Sequence, residues 1–141
     1  MSVVVDSSVA LNWVMPDEDR THTEALMDSV SLTGAVVPPL FQIEVGNSLL
    51  VGVHRKRIAS EYIREALDLI GLLPLRVDKY SAEYVWSTTI EIAAAYRLSL
   101  YDATYLESAI RLGLPLATLD TKLARAAETA GVSSPWPQTR N

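Results

Sequence analysis

Cysteine is absent from the 141 residues of this sequence. Its absence excludes a scaffold held by disulfides and every metal site built from thiolates. The two histidines, His22 and His54, lie too far apart in sequence to form a paired ligand spacing, so we do not expect a zinc site. A chain of this length needs no disulfide, because one domain buries roughly 68–70% of the surface that its unfolded form exposes.

Long hydrophobic runs are also missing. No segment approaches the roughly 18 uninterrupted apolar residues of a membrane span. The first residues, MSVVVDSS, lack the basic region that begins a signal peptide. The lack of cysteine also fits a reducing compartment. We therefore expect a cytoplasmic protein that does not contact membranes.

Positive charge is scarce, since 12 Lys and Arg residues face 17 Asp and Glu residues and the net charge is −5. This balance argues against nucleic-acid binding driven by overall charge. A nuclease remains compatible with it, because bound cations offset the charge of an acidic metal site. Any phosphate-binding surface must then be local, and the best basic patch follows a long predicted helix, where cations also favour the helix C-terminus. The patch is Arg55, Lys56 and Arg57, and further basic candidates near acidic motifs are Arg111, Lys122 and Arg125.

Short apolar runs alternate with longer segments of helical period, which predicts strands separated by helices. Such crossovers imply a parallel sheet with helices on both faces, a three-layer α/β/α fold with a short central sheet. We expect one domain over residues 1–132 and a C-terminal tail over 133–141 with little to bury. The predicted strands are 3–5, 35–37, 75–77 and 116–118, and the predicted helices are 7–13, 17–30, 41–57, 60–73, 81–96, 101–112 and 122–130.

Four carboxylates stand out by their positions in this pattern. Asp6 directly follows the first predicted strand, and Asp120 lies just past the last one. Glu44 starts the helix after the second strand, and Asp102 opens the helix before the last strand. Because the carboxyl ends of parallel strands lie along one edge of a sheet, a single cleft can collect all four acids.

Each of these acids also has a structural explanation. Asp6, Asp102 and Asp120 lie near predicted helix starts, where acids cap backbone amides and interact favourably with the helix dipole. Glu44 lies among apolar neighbours, and an unpaired buried carboxylate costs several kcal/mol. A salt bridge to an arginine is therefore the structural alternative for Glu44.

Four motifs carry a resemblance to PIN domains. Their order and spacing resemble those of VapC-type toxins from bacterial and archaeal toxin–antitoxin pairs, and the similarity covers about residues 2–132. The motifs are VVDSSVAL at 4–11, PPLFQIEVGNSL at 38–49, LYDATYL at 100–106 and LATLD at 116–120.

The resemblance implies a PIN-like fold in which Asp6, Glu44 and Asp102 are the core metal ligands and Asp120 completes the site. Ser8 and Thr118 match hydroxyl positions that support such a cluster, although Ser8 can equally be a helix cap. Asn47 is a weaker candidate of the same kind, with a solvated surface position as its alternative. Relatives often add a last strand after Gly131-Val132, which Ser133-Ser134-Pro135 makes short or absent here.

The resemblance also implies a function, a metal-dependent endoribonuclease toxin that cleaves RNA, forms a homodimer and is neutralised by a cognate antitoxin. Oxygen ligands favour Mg²⁺ or Mn²⁺. Without metal, the four acids repel each other, which predicts a raised pKa for at least one of them. The alternatives are a PIN nuclease outside toxin–antitoxin systems, a non-catalytic interaction module, and a phosphatase with Asp6 as nucleophile. The phosphatase would require a second acid where Ser8 stands.

Overall fold

The sheet has four parallel strands, as the sequence predicts. A computed structural model describes residues 2–136 and places the strands in the order β3-β2-β1-β4. The central strand β1 pairs with β2 through Val4 and Val36, and with β4 through Val4 and Leu116. The strands are β1 (Val4–Val5), β2 (Ala35–Val37), β3 (Leu75–Val77) and β4 (Leu116–Ala117), so the predicted ends move by at most one residue.

Within residues 2–136, seven α-helices connect and follow these strands. A 3₁₀ segment (Ser81–Tyr84) and a π-helical segment (Val85–Thr89) precede α5. Within residues 2–136, no helix has the length and apolar character needed to cross a membrane. The helices are α1 (Ser7–Val14), α2 (Glu24–Thr33), α3 (Leu40–His54), α4 (Tyr62–Gly71), α5 (Ile90–Tyr96), α6 (Leu100–Leu112) and α7 (Thr121–Thr129).

Two of the predicted helices differ from the structure in more than their ends, which in the other helices move by at most three residues. The helix predicted for 17–30 begins only at Glu24, because the polar segment before it bonds to α1 instead of forming its own helix. The Asn12 side chain donates to the Asp19 carbonyl at 3.1 Å, and the Trp13 indole N–H donates to the Thr23 carbonyl at 3.1 Å. The helix predicted for 81–96 is helical throughout but divides into the 3₁₀ and π-helical segments and α5.

The helices form two layers. Crossovers between parallel strands are right-handed, so the connections from β1 to β2 and from β2 to β3 lie on one face, and the return from β3 to β4 lies on the other. The packing agrees, since α1 contacts α3 and α4, while α6 contacts α5 and α7. This arrangement confirms the predicted three-layer fold.

The order of the strands reverses between β1 and β4. The segments that follow β1 and β4 run to opposite faces of the sheet, which opens a crevice at the carboxyl ends of these two strands. The strands themselves are buried, with Val4, Val5 and Ala117 fully shielded from solvent. The rigid centre of the sheet therefore ends directly at the crevice.

No strand follows α7 within residues 2–136. The Ser133 carbonyl nevertheless accepts a hydrogen bond from the Leu116 amide at 3.0 Å, beside β4. Trp136 packs against the core, and its ring centroid lies 4.9 Å from that of His22. The first residues of the predicted tail thus make more contacts with the domain than their composition suggested. Residues 137–141 of that tail lie outside the described part of the chain.

Candidate metal centre

The pairing of β1 with β4 brings two acids to the same edge of the sheet. Val5 lies opposite Ala117, and the Asp6 amide donates to the Ala117 carbonyl at 3.0 Å. Asp6 then occupies the N-cap position of α1, and Asp120, two residues after Thr118, occupies that of α7. We call Asp6, Glu44, Asp102 and Asp120 the acid cluster.

Hydroxyl groups hold the Asp6 carboxylate, which is only 4% exposed. The hydroxyls of Ser8 and Thr118 each donate to Asp6 Oδ2 at 2.7 Å. Both hydroxyl oxygens also accept backbone amides at 3.0 Å, from Leu119 and Asp120 respectively, which fixes their orientation. Ser8 is not the helix cap, because Asp6 occupies that position in α1.

Helix capping explains one acid of the cluster rather than three. The Asp120 carboxylate accepts the Leu123 amide at 2.9 Å, as a cap does. The Asp6 carboxylate makes no such bond although it stands at the cap position. In α6 the cap is Ser99, whose hydroxyl accepts the Asp102 amide at 3.1 Å, so the Asp102 carboxylate has no capping role.

Glu44 lies in the second turn of α3 and is half-buried. Its Oε1 accepts a hydrogen bond from the Tyr105 hydroxyl at 2.5 Å and another from the Ser7 hydroxyl at 3.3 Å. The predicted alternative, an arginine salt bridge, is wrong, because no Lys or Arg of residues 2–136 lies within 4.0 Å of this carboxylate.

The acids influence each other electrostatically. Burial raises the pKa of Asp102 to about 6, together with the charges of Asp120, Asp6 and Glu44. Burial also raises the pKa of Asp6, although hydrogen bonds from Thr118 and Ser8 oppose it. The pKa of Glu44 is raised by burial and by the Asp6 charge. The predicted mutual repulsion is thus present, and it favours binding of a cation.

The acid cluster does not form a closed set of direct ligands in the described part of the chain. Among residues 2–136, no three Asp, Glu or His side chains are positioned to hold an ion together. Mg²⁺ usually keeps several waters and binds directly to one or two carboxylates. Oxygen donors that are close enough to interact but not gathered around one point suit such an ion, whereas zinc takes four direct ligands in structural sites.

The basic patch predicted for RNA lies away from the acid cluster. Arg55, Lys56 and Arg57 follow α3, about 15 Å along the helix axis from Glu44 at 1.5 Å per residue. Arg57 is paired with Asp17 through two bonds of 2.8 Å, and this pairing lowers the pKa of Asp17. Arg55 and Lys56 are exposed.

The remaining basic candidates divide into paired and exposed side chains. Arg111 is bound to Asp78 and Glu107, so it does not face the acid cluster as a spare cation. Lys122 and Arg125 are exposed on α7, the helix that Asp120 begins. Asn47 is exposed one turn beyond Glu44.

Sequence reasoning missed Ser7 and Tyr105 as site residues, although both lie within the quoted motifs. A signal for Tyr105 existed, because a tyrosine inside a buried helix must find a partner for its hydroxyl. Its position three residues after Asp102 also places both on one side of α6. No signal separated Ser7 from an ordinary residue at a helix start.

Comparisons with known proteins agree with this geometry. The sequence model of the family described as PIN domain matches residues 3–129. Two curated relatives from Mycobacterium tuberculosis, strains CDC 1551 / Oshkosh and ATCC 25618 / H37Rv, are both named Ribonuclease VapC1 and are 35% identical over 95 residues. The alignment covers 63% of this chain and 65% of each relative, so the chain matches just under two thirds of their length.

Two solved structures share the fold. PAE2754 from Pyrobaculum aerophilum has a TM-score of 0.62 at 20% identity, covering 89% of this chain and 84% of that one. FitAcB from Neisseria gonorrhoeae has a TM-score of 0.65 at 18% identity, covering 95% of this chain and 96% of that one. Both likenesses support the three-layer α/β fold.

Proposed function

Because this chain belongs to the PIN domain family, we propose that it is a magnesium- or manganese-dependent endoribonuclease that hydrolyses RNA at the acid cluster. One observation carries the proposal. Four carboxylates lie at the carboxyl edge of the sheet, no Lys or Arg of residues 2–136 pairs with Glu44, and burial together with the charges of Asp120, Asp6 and Glu44 raises the pKa of Asp102 to about 6. Such a site gains stability from a cation, and oxygen donors select Mg²⁺ or Mn²⁺.

Each residue of the site has a role in this proposal. Asp6, Glu44 and Asp102 would hold the hydrated cation, directly or through its water ligands, and Asp120 would complete the site while capping α7. When bound, such an ion lowers the pKa of a coordinated water and stabilises charge on the attacking and leaving oxygens. Ser8 and Thr118 keep Asp6 in one orientation, which removes the entropy cost of ordering it during binding.

The RNA backbone requires positive charge near a site that is itself acidic. Lys122 and Arg125 on α7 are the candidates that lie nearest in sequence to the acid cluster, because Asp120 caps the start of the same helix. Arg55 and Lys56 would meet a more distant part of the strand. With a net charge of −5, binding rests on these local contacts.

We propose that the chain is the toxin of a toxin–antitoxin pair and that its partner is a small antitoxin. The resemblance of its motifs to VapC-type toxins and its 35% identity to Ribonuclease VapC1 support this role. An acidic site without its own cation partner favours an antitoxin that inserts a basic side chain. Exposed apolar side chains support a homodimer, since Trp86 is 90% and Leu72 is 81% exposed.

The first alternative differs in its partner rather than in its chemistry. A PIN nuclease of RNA maturation would use the same acids without an antitoxin. A non-catalytic module has less support, because repelling carboxylates destabilise a scaffold that has no use for them. Membership of the PIN family also argues against the phosphatase.

We expect the purified protein to cleave RNA in the presence of Mg²⁺ or Mn²⁺ and to stop when a chelator is added. Gel analysis of a structured RNA, with metal restored after chelation, measures both effects. Cleavage at the full rate in excess chelator, unchanged by added metal, would remove the metal from the proposal.

The antitoxin is tested by isolating the protein together with the product of its neighbouring gene. We expect a stable complex that does not cleave RNA until the partner is removed. A chain that is monomeric, binds no partner and is harmless when induced in cells would reject the toxin role. The nuclease proposal would survive that result.

A further inference from the structure

A single hydrogen bond connects the two helical layers at the acid cluster. The Tyr105 side chain is fully buried on α6, and its hydroxyl donates to Glu44 Oε1 on α3 at 2.5 Å. The two residues are 61 positions apart in sequence. Because α3 and α6 cover opposite faces of the sheet, this bond spans the crevice at the strand ends.

A backbone carbonyl can accept the hydrogen bond of a buried tyrosine hydroxyl at a lower desolvation cost than a carboxylate can. The Tyr62 hydroxyl, for example, donates to the Val14 backbone carbonyl. Burial of an ionisable partner carries a desolvation cost that a carbonyl avoids, and burial does raise the pKa of Glu44. The pairing of Tyr105 with Glu44 thus holds a carboxylate in a partly buried position, which the Tyr62 bond does not require.

The two carboxylate oxygens of Glu44 differ in their hydrogen bonds. Oε1 accepts both Tyr105 and Ser7, whereas Oε2 has no hydrogen-bond partner among residues 2–136. Asp6 is held mainly at Oδ2, which accepts both Ser8 and Thr118 at 2.7 Å. The Ser7 hydroxyl lies between the two acids, 3.4 Å from Asp6 Oδ1 and 3.3 Å from Glu44 Oε1, so Tyr105 is the stronger donor to Glu44.

We propose that Tyr105, assisted by Ser7, is a positioning residue that anchors Glu44 through Oε1 and leaves Oε2 to bind the divalent cation. The inference rests on the proposed metal-dependent function. A carboxylate fixed in advance binds an ion without first losing rotational freedom, and loss of such a supporting partner typically weakens metal binding about 10- to 100-fold.

The test is calorimetric titration of Mn²⁺ into the full-length protein. Tyr105→Phe removes the hydroxyl and keeps the ring, and we expect Mn²⁺ affinity to fall about 10- to 100-fold. Tyr62→Phe is the matched control, because it removes a tyrosine hydroxyl bond away from the acid cluster and should leave Mn²⁺ affinity unchanged. At saturating Mn²⁺, Tyr105→Phe should recover most of its RNA cleavage rate.

A double variant shows whether Tyr105 acts through Glu44. Glu44→Gln alone should weaken Mn²⁺ binding, and adding Tyr105→Phe should weaken it no further, since effects on one contact are not additive. Additive losses would contradict positioning through Glu44. Wild-type Mn²⁺ affinity in Tyr105→Phe would overturn the proposal.

A Tyr105→Phe chain that fails to fold would also overturn the role of Tyr105, because its hydroxyl would then serve the fold. Ser7→Ala removes the second donor to Oε1, and an Mn²⁺ affinity equal to wild type in that variant would contradict anchoring at this oxygen. If the wild-type protein binds Mn²⁺ but does not cleave RNA, the proposed function fails while the anchoring of Glu44 stands. If wild type binds no Mn²⁺, both fail.

Discussion

Asp102→Asn is expected to stabilise the metal-free protein while abolishing its stabilisation by Mg²⁺. The substitution removes one charge from a cluster in which Asp120, Asp6 and Glu44 all raise the pKa of Asp102. It leaves the start of α6 intact, because the cap there is the Ser99 hydroxyl bound to the Asp102 backbone amide. Loss of a direct ligand should exceed the roughly 10- to 100-fold loss in metal affinity caused by supporting residues.

The gain in stability should depend on pH. The pKa of Asp102 is about 6 in the folded protein and 3.8 ordinarily, so the folded state holds a proton that the unfolded state releases. Protonated Asp102 stabilises the folded state relative to the unfolded state. This contribution is fully present below about pH 4 and is lost as the pH rises through about 6. The shift corresponds to about 3 kcal/mol at most, and because Asp102 is partly exposed, solvent screening reduces the expected loss to roughly 1–2 kcal/mol. Asp102→Asn should therefore exceed wild type in stability above about pH 6, and the difference should vanish near pH 4.

Thermal unfolding at several pH values, with and without Mg²⁺, measures these effects. Mg²⁺ at a hundredfold excess over its Kd should stabilise wild type by roughly 2.7 kcal/mol and the variant by almost nothing. Asp68→Asn is a suitable control, because Asp68 pairs with Arg64 on the surface at 69% exposure. A folded Asp102→Asn variant that keeps the wild-type response to Mg²⁺ would remove Asp102 from the metal site.

Arg111→Met is expected to lower the stability of the fold strongly, because it removes the cation that pairs with two buried acids. The Arg111 guanidinium donates to Glu107 Oε1 at 2.7 Å and to Asp78 Oδ2, and the side chains of both acids are only 3% exposed. The Ser108 hydroxyl adds a bond to Asp78 at 2.7 Å. Burial raises the pKa of Asp78, but the bonds from Arg111 and Ser108 outweigh it and the net pKa is lowered. Removing the cation leaves two buried carboxylates without compensation.

The expected cost is about 3–5 kcal/mol. For a chain of this size it corresponds to a fall in Tm of roughly 10–20 °C. Arg57→Met is the matched control, because its pair with Asp17 is exposed at 40% and 48% and solvent screens it, so its loss should change the Tm little. Replacing Asp78 and Glu107 by Asn and Gln in the Arg111→Met background should recover part of the loss. Equal effects of Arg111→Met and Arg57→Met would show that the buried ion triad does not stabilise the fold.

The sequence predicts the sheet and the acid cluster because both depend on local patterns and chain direction. Runs such as Val3-Val4-Val5 identify strands, and parallel topology then brings the residues that follow them together. The helix predicted for 17–30 begins later than predicted, because Asn12 and Trp13 of α1 donate hydrogen bonds to the segment before it. Periodicity also does not distinguish a continuous α-helix from the mixed helical turns found over 81–96.

The contacts that sequence could not predict are long-range pairings of polar side chains. Arg111 reads as a solvated charge on a helix, and its partner Asp78 lies 33 residues away. Tyr105 reads as a core aromatic, and its partner Glu44 lies 61 residues away. Such partners follow from packing between layers, which amino-acid spacing does not encode.

RNA cleavage by wild type and by Asp102→Asn over one series of Mg²⁺ concentrations tests the central claim most directly. The claim is that the acid cluster binds the cation on which RNA hydrolysis depends. We predict cleavage by wild type that rises with Mg²⁺ and stops with chelator, and a rate at least about 100-fold lower for the folded variant at every concentration. Equal rates for the two proteins, or cleavage that does not respond to Mg²⁺, would contradict the account.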